Sequence, residues 1–163
     1  MNKIKLNKKG IFIFVVFILL IALVIISLSI SGPGDVVKKY AKGMKNFDSE
    51  KIVELYIPEM IKESYDSEKE MIDELDLMFK EMKEKYFKII SYSIDTDYKV
   101  FDGEELEYRI KQLKDYYKIE DEIKEVRRYL VEFQCSVDGE EDVVEHKVII
   151  AKIKSKWYLI GIE

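Results

Sequence analysis

The sequence predicts an α+β fold: an N-terminal transmembrane helix, followed by helices that pack on an antiparallel sheet. Three observations carry that prediction. Residues 11–30, "IFIFVVFILLIALVIISLSI", hold no charged side chain. From residue 36 to residue 82 apolar side chains recur three and four positions apart, the stripe of helices on a core. From residue 88 the spacing turns to alternation, and from residue 123 to the end the chain reads as strand. A length of 163 residues suits one domain plus an appendage.

The first elements are a cytoplasmic basic tail (1–10), a membrane anchor (11–30) and a short linker (31–34). Twenty helical residues at about 1.5 Å each span about 30 Å, the hydrocarbon thickness of a bilayer. Lys3, Lys5, Lys8 and Lys9 precede the run without an acid among them, which keeps the N-terminus inside and sends residues 35–163 outside. The expected location is therefore the cell membrane, single-pass, with an extracytoplasmic C-terminal domain. The run exceeds the 7–15 residues of a signal peptide's apolar core, which favours an uncleaved signal anchor. Ser29 and Ser31 are nevertheless spaced like a peptidase site. "KKG" before "IFIFVVF" also resembles the bacterial type IV pilin leader, although Val15 stands where that family has Glu and Gly32-Pro33-Gly34 interrupts the helix.

In the outer domain Asp35 is the expected cap of a first helix carrying Val36, Val37, Tyr40, Ala41, Met44 and Phe47. Asp48 and Ser49 cap a short second helix with Ile52, Val53, Leu55 and Tyr56. Pro58 opens a third, with Met60 and Ile61. "SEKE" at Ser67–Glu70 is a capping box before Met71, Leu75, Met78, Phe79 and Met82. "YFKIISYSIDTDYKVF" then reads as one long strand with Ile90, Tyr92 and Ile94 on one face. Asp102 and Glu105 start a charged surface helix marked by Leu106, Ile110, Leu113 and Tyr117. In the closing strands Ile123, Tyr129, Val131, Phe133, Cys135 and Val137 share a face, Asp138-Gly139 turns a hairpin, and a tight turn near Ser155 precedes "WYLIGI".

Charge limits the function classes. The tally of 27 basic and 32 acidic residues becomes 23 and 32 once the basic tail is set aside, a net of −9. A domain that acidic is repelled by phosphate backbones, so no nucleic-acid partner is expected. Cys135 is the only cysteine, which excludes an internal disulfide and multi-cysteine zinc sites. His146 is the only histidine, so any nucleophilic triad or two-histidine metal site would need it. It sits in an alternating strand and reads as a rim or half-buried residue. "DGEED" at Asp138–Asp142 lacks the ordered ligands of a calcium loop. Gly-rich phosphate loops and nucleophile elbows are absent from the sequence, and no cofactor, metal or catalytic residue is expected.

The order of elements, with "DVVKKYAKGMKNFDSEKIVELY" at the front and "RRYLVEFQCSVDG" to "WYLIGI" at the back, resembles the nuclear transport factor 2-like superfamily over residues 34–163. The resemblance rests on an opening helix pair with an aspartate between the helices, and on closing strands with a Trp-Tyr pair in the last. It implies a cone-like curved sheet around the N-terminal helices, with a cavity at the wide end. Tyr40, Met44, Tyr92, Tyr129 and Phe133 are the candidates to line it, with packing in the core as the favoured alternative role for each. The family includes lyases, isomerases and hydrolases as well as proteins without catalysis, so fold alone does not supply function. The preferred expectation is a non-catalytic, membrane-tethered binding or scaffolding domain, with an envelope protein or a small hydrophobic molecule as partner. The alternative is a small lyase, isomerase or hydrolase working in the cone.

Overall fold

The computed structural model describes residues 32–163; the basic tail, the expected anchor at 11–30 and Ser31 lie outside the described residues. Among the described residues no helix is long and apolar enough to cross a membrane. Five helices and five strands follow: α1 (Pro33–Asn46), α2 (Ser49–Val53), α3 (Pro58–Ser64), α4 (Glu68–Glu84), β1 (Lys88–Ile94), β2 (Lys99–Val100), α5 (Gly103–Tyr117), β3 (Ile123–Val137), β4 (Glu140–Ile153) and β5 (Lys156–Ile162). The architecture is α+β, with one antiparallel sheet in the order β1-β3-β4-β5 and β2 paired to β3 beyond β1.

Helix starts follow the local chemistry, with one shift. α1 begins two residues before Asp35, because Pro33 at its first position has the right φ and no N–H to leave unpaired. Asp35 serves instead as the third helical residue, and its Oδ2 accepts the Gly32 N–H at 2.8 Å. Asp48 caps α2 by accepting the Lys51 N–H at 3.2 Å, and Ser67 caps α4 by accepting the Glu70 N–H at 3.2 Å. Asp102 precedes α5 without making a side-chain cap bond. On α4 Met71 and Phe79 are buried and Leu75 and Met82 half-buried, but Met78 lies off the stripe and is 40% exposed.

The expected long strand is two strands. Asp95 Oδ1 accepts the Asp97 N–H at 2.8 Å, a side-chain turn that interrupts the extended chain between β1 and β2. A bulge also lies between Ile89, opposite Cys135, and Ser91, opposite Gln134. The extra residue inverts the alternation at its front: Ile89 is 8% exposed and Ile90 is 49% exposed. Tyr92 and Ile94 keep the inward face, opposite Phe133 and Val131.

Both faces of the sheet are covered. Val148 and Ile150 of β4 join Tyr129, Val131, Phe133 and Cys135 of β3 in a core with Val36, Val37, Tyr40, Ala41 and Met44 of α1. The alternate residues Ile149 and Ala151 join Val126, Phe101 and Leu113 in a second cluster beneath α5. Successive strand side chains point to opposite faces, so the two clusters lie on opposite sides. Ile123, expected on the Tyr129 face, belongs to the second cluster, because another bulge separates it from Glu125. The two-residue turns fall as expected: Asp138 and Gly139 have φ of 51° and 89°, and Lys154 has φ of 55°.

Candidate binding cleft

Among the described residues, polar groups come together on the α1 face of the sheet, at Tyr40, and on the α5 face, beside β5, as well as around a cavity of about 310 Å³ lined by Glu59, Lys118, Glu120 and Asp121. On the α1 face Tyr40, Met44, Tyr129 and Phe133 are buried in the main core, and Tyr92 is half-buried against it. They meet one another: Tyr40 and Tyr92 each stand 6.4 Å from the Phe133 ring, measured between centroids. Tyr129 stacks on Tyr98 at 4.9 Å. The Tyr40 hydroxyl and His146 Nδ1 share a hydrogen bond of 2.7 Å, joining residues 106 positions apart. Burial pushes the imidazole pKa down and the phenol pKa up, so this is a neutral pair, with the ring held edge-on to Phe133 at 5.1 Å.

On the α5 face the sequence builds an open trough. Arg109, Gln112, Leu113, Tyr116 and Tyr117 lie along one side of α5 at helical spacing. Opposite them β5 carries its own bulge: Ile149 pairs with Gly161 and Ile150 with Leu159, leaving Ile160 as the additional residue. Gly161 adds no side chain where one would fill the gap; a Cβ there would meet nothing nearer than Ile149 Cδ1 at 4.0 Å. The result is a cavity of about 400 Å³ between α5 and Ile149, Ile160 and Gly161.

One end of the cleft is ionic. Arg109 Nη2 lies 2.8 Å from Glu163 Oε1, and Arg128 Nη1 lies 3.9 Å from Glu163 Oε2. The hydrogen bond from Arg109 holds the Glu163 carboxyl below the usual range. The backbone pins the same residue, since Glu163 N–H donates to Lys147 O at 3.0 Å and accepts at its carbonyl from Lys147 N–H at 2.9 Å. Arg109 also lies 5.1 Å over the Phe101 ring.

A second cavity of about 220 Å³ continues from the first, sharing Tyr117, Ile160 and Gly161. No protein-family model, curated protein or solved structure matches the chain. Its walls add Tyr56, Tyr65, Met60, Ile61 and Met71. Tyr56 is fixed there because the Leu55 carbonyl accepts the Leu159 N–H at 2.8 Å, and a parallel bridge ties Tyr56 to β5. Burial, with Tyr65 and Tyr117 nearby, pushes the Tyr56 pKa up to about 12. Both cavities are lined by residues other than Tyr40, Met44, Tyr92, Tyr129 and Phe133. Sequence reasoning missed this cleft, although a lone glycine inside a strand pattern is a known sign of a bulge or a close approach, and Gly161 is one.

Proposed function

We propose that this chain is a non-catalytic binding or scaffolding domain, tethered to the cell membrane through residues 11–30 and presented outside the cytoplasm. The observation that carries the tether is the uncharged twenty-residue run behind Lys3, Lys5, Lys8 and Lys9. What supports binding is the cleft between α5 and β5, a concave site with an apolar floor, phenolic walls and one fixed ion pair. The α+β order of elements is compatible with the nuclear transport factor 2-like resemblance, with the ligand or envelope partner taken at the α5 face. The ion pair at the cleft's edge is mutually satisfied, which suits recognition rather than proton transfer.

A reporter enzyme fused after Glu163 tests the tether: it is active only outside the cytoplasm, and activity confined to the cytoplasm overturns the reading. Crosslinking from a photoreactive side chain at Tyr116 tests binding in intact cells. An adduct that disappears in Gly161→Leu supports the cleft. An adduct of undiminished yield in that variant removes it.

A further inference from the structure

The second cavity has a composition of its own. Tyr56, Tyr65 and Tyr117 line it, together with Met60, Ile61 and Met71. The three phenols come from three elements: the α2–α3 connection, the end of α3, and the end of α5. Glu74 and Glu70 stand beside Tyr65: after burial, the charge of Glu74 and its hydrogen bond with the Tyr65 hydroxyl, then the charge of Glu70, push that hydroxyl's pKa up, and Glu70 also accepts the Asp66 N–H at 2.6 Å. Among the described residues neither carboxylate is paired with a Lys or Arg side chain. Aromatic faces and polarizable sulfur attract a cation, and nearby carboxylates add long-range charge.

Resting on the binding-domain reading above, we propose that the Tyr56–Tyr65–Tyr117 cavity is an aromatic cage for a methylated ammonium group, of the kind carried by choline, betaine or a trimethylammonium lipid head. A primary ammonium fits less well: it must shed a tight hydration shell, and the lining side chains offer it uncharged acceptors, the phenol oxygens and the Ser64 hydroxyl, with no carboxylate among them. A trimethylammonium group has no donors to satisfy, sheds water readily, and presents methyl groups that pack on Met60, Ile61 and Met71. Charge complementarity points the same way, because the outer domain carries a net −9 once the basic tail is excluded. An anionic ligand has no cation among the lining residues of this cavity to meet it.

The test titrates choline, tetramethylammonium and the neutral isostere 3,3-dimethylbutanol into the full chain in detergent, followed by NMR of labelled tyrosine and methionine. Saturable shifts at the cage residues are expected with both cations, with the alcohol binding at least about tenfold more weakly, the loss that removing the cation–π attraction produces. Tyr65→Leu and Tyr117→Leu each weaken choline about tenfold, and Glu74→Gln weakens it severalfold. Unchanged Trp157 fluorescence on denaturant titration confirms that these variants fold. Nanodiscs of phosphatidylcholine against phosphatidylglycerol separate sources: protection of the cage from added choline only in phosphatidylcholine assigns a lipid head group, and equal titration in both assigns a free solute. Equal affinity for alcohol and cations, or no saturable shift at the cage, overturns the proposal. A Gly161-sensitive crosslink that persists alongside either result leaves the binding-domain reading standing on its own.

Discussion

Gly43 sits in the interior of α1 and is buried against α2. Helix propensity alone makes Gly43→Ala stabilising by about 1 kcal/mol, because alanine gives up less backbone entropy. The packing says the reverse. A Cβ at Gly43 would stand 2.7 Å from Ile52 Cγ1, 3.4 Å from Ile52 Cδ1 and 3.5 Å from the Asp48 carbonyl. Ile52 is β-branched and 2% exposed, so its inner methylene has little room to turn away. Overpacking of this kind costs about 1–3 kcal/mol, which outweighs the propensity gain. The net expectation is a loss of about 1 kcal/mol, or about 4 °C in the unfolding midpoint for a domain of this size. The chain's one tryptophan, Trp157, lies in the same core and reports unfolding by its fluorescence. Gly34→Ala is the internal control: nothing lies within 4 Å of its Cβ, so it is neutral or stabilising. The decisive measurement is the double-mutant cycle with Ile52→Ala, which removes the clashing Cγ1. In that background Gly43→Ala becomes stabilising. A loss of the same size in both backgrounds would refute the steric argument.

Three further outcomes follow from the structure. Ile90→Lys shifts stability by less than about 0.5 kcal/mol, whereas Ile89→Lys unfolds the domain or costs several kcal/mol, as denaturant titration will show; equal effects would mean that the bulge is misplaced. Because the folded His146 pKa lies below 6.5, the unfolded chain takes up the proton first, so stability is complete above pH 6.5 and falls as pH drops through the folded value; this slope is absent in His146→Asn, and the single histidine makes its NMR titration unambiguous. Hydrogen exchange is faster in α5 than in α1, since α5 buries only Leu113 fully while α1 buries Val36, Val37, Tyr40, Ala41, Gly43 and Met44; equal protection in the two helices counts against a loosely seated α5.

Much of the domain was legible because its signals are local. Asp48, Pro58, Ser67 and Asp138-Gly139 each perform the backbone task that their chemistry suggests, and the antiparallel ladder follows from alternation. Tyr40, Tyr129 and Phe133 were recognisable as inward-facing for the same reason. The failures cluster at bulges. Ile90 repeats the apolar period and would be buried in a regular strand, yet one extra residue turns it out and turns Ile89 in. Nothing in "KIISYSI" distinguishes the two isoleucines, because a bulge is selected by what the neighbouring strand and helix can accommodate. Asp35 was displaced as a cap by Pro33, two start signals in competition, and proline's fixed φ extends the helix backwards. The α5–β5 cleft was invisible for a deeper reason. Its walls come from separate elements, and its space exists only because the Ile160 bulge and the missing Gly161 side chain coincide beneath Tyr117.

The two faces of the sheet differ in how completely they are packed. The α1 face closes its polar groups internally: Tyr40 meets His146, and the aromatic rings meet each other. Such a network fixes one arrangement of the core and leaves little for a ligand to gain. The α5 face is built from a charged helix whose partly buried residues, Leu106, Ile110 and Tyr117, touch the sheet without filling it. Its aromatic residues are also the less satisfied ones, with Tyr116 74% exposed beside the cleft. A ligand entering there covers phenolic and aliphatic surface at little cost to the fold, since the sheet is already held from the opposite side. The binding reading proposed above draws on that asymmetry, since the place where packing is least complete is the place where a ligand would disturb the fold least.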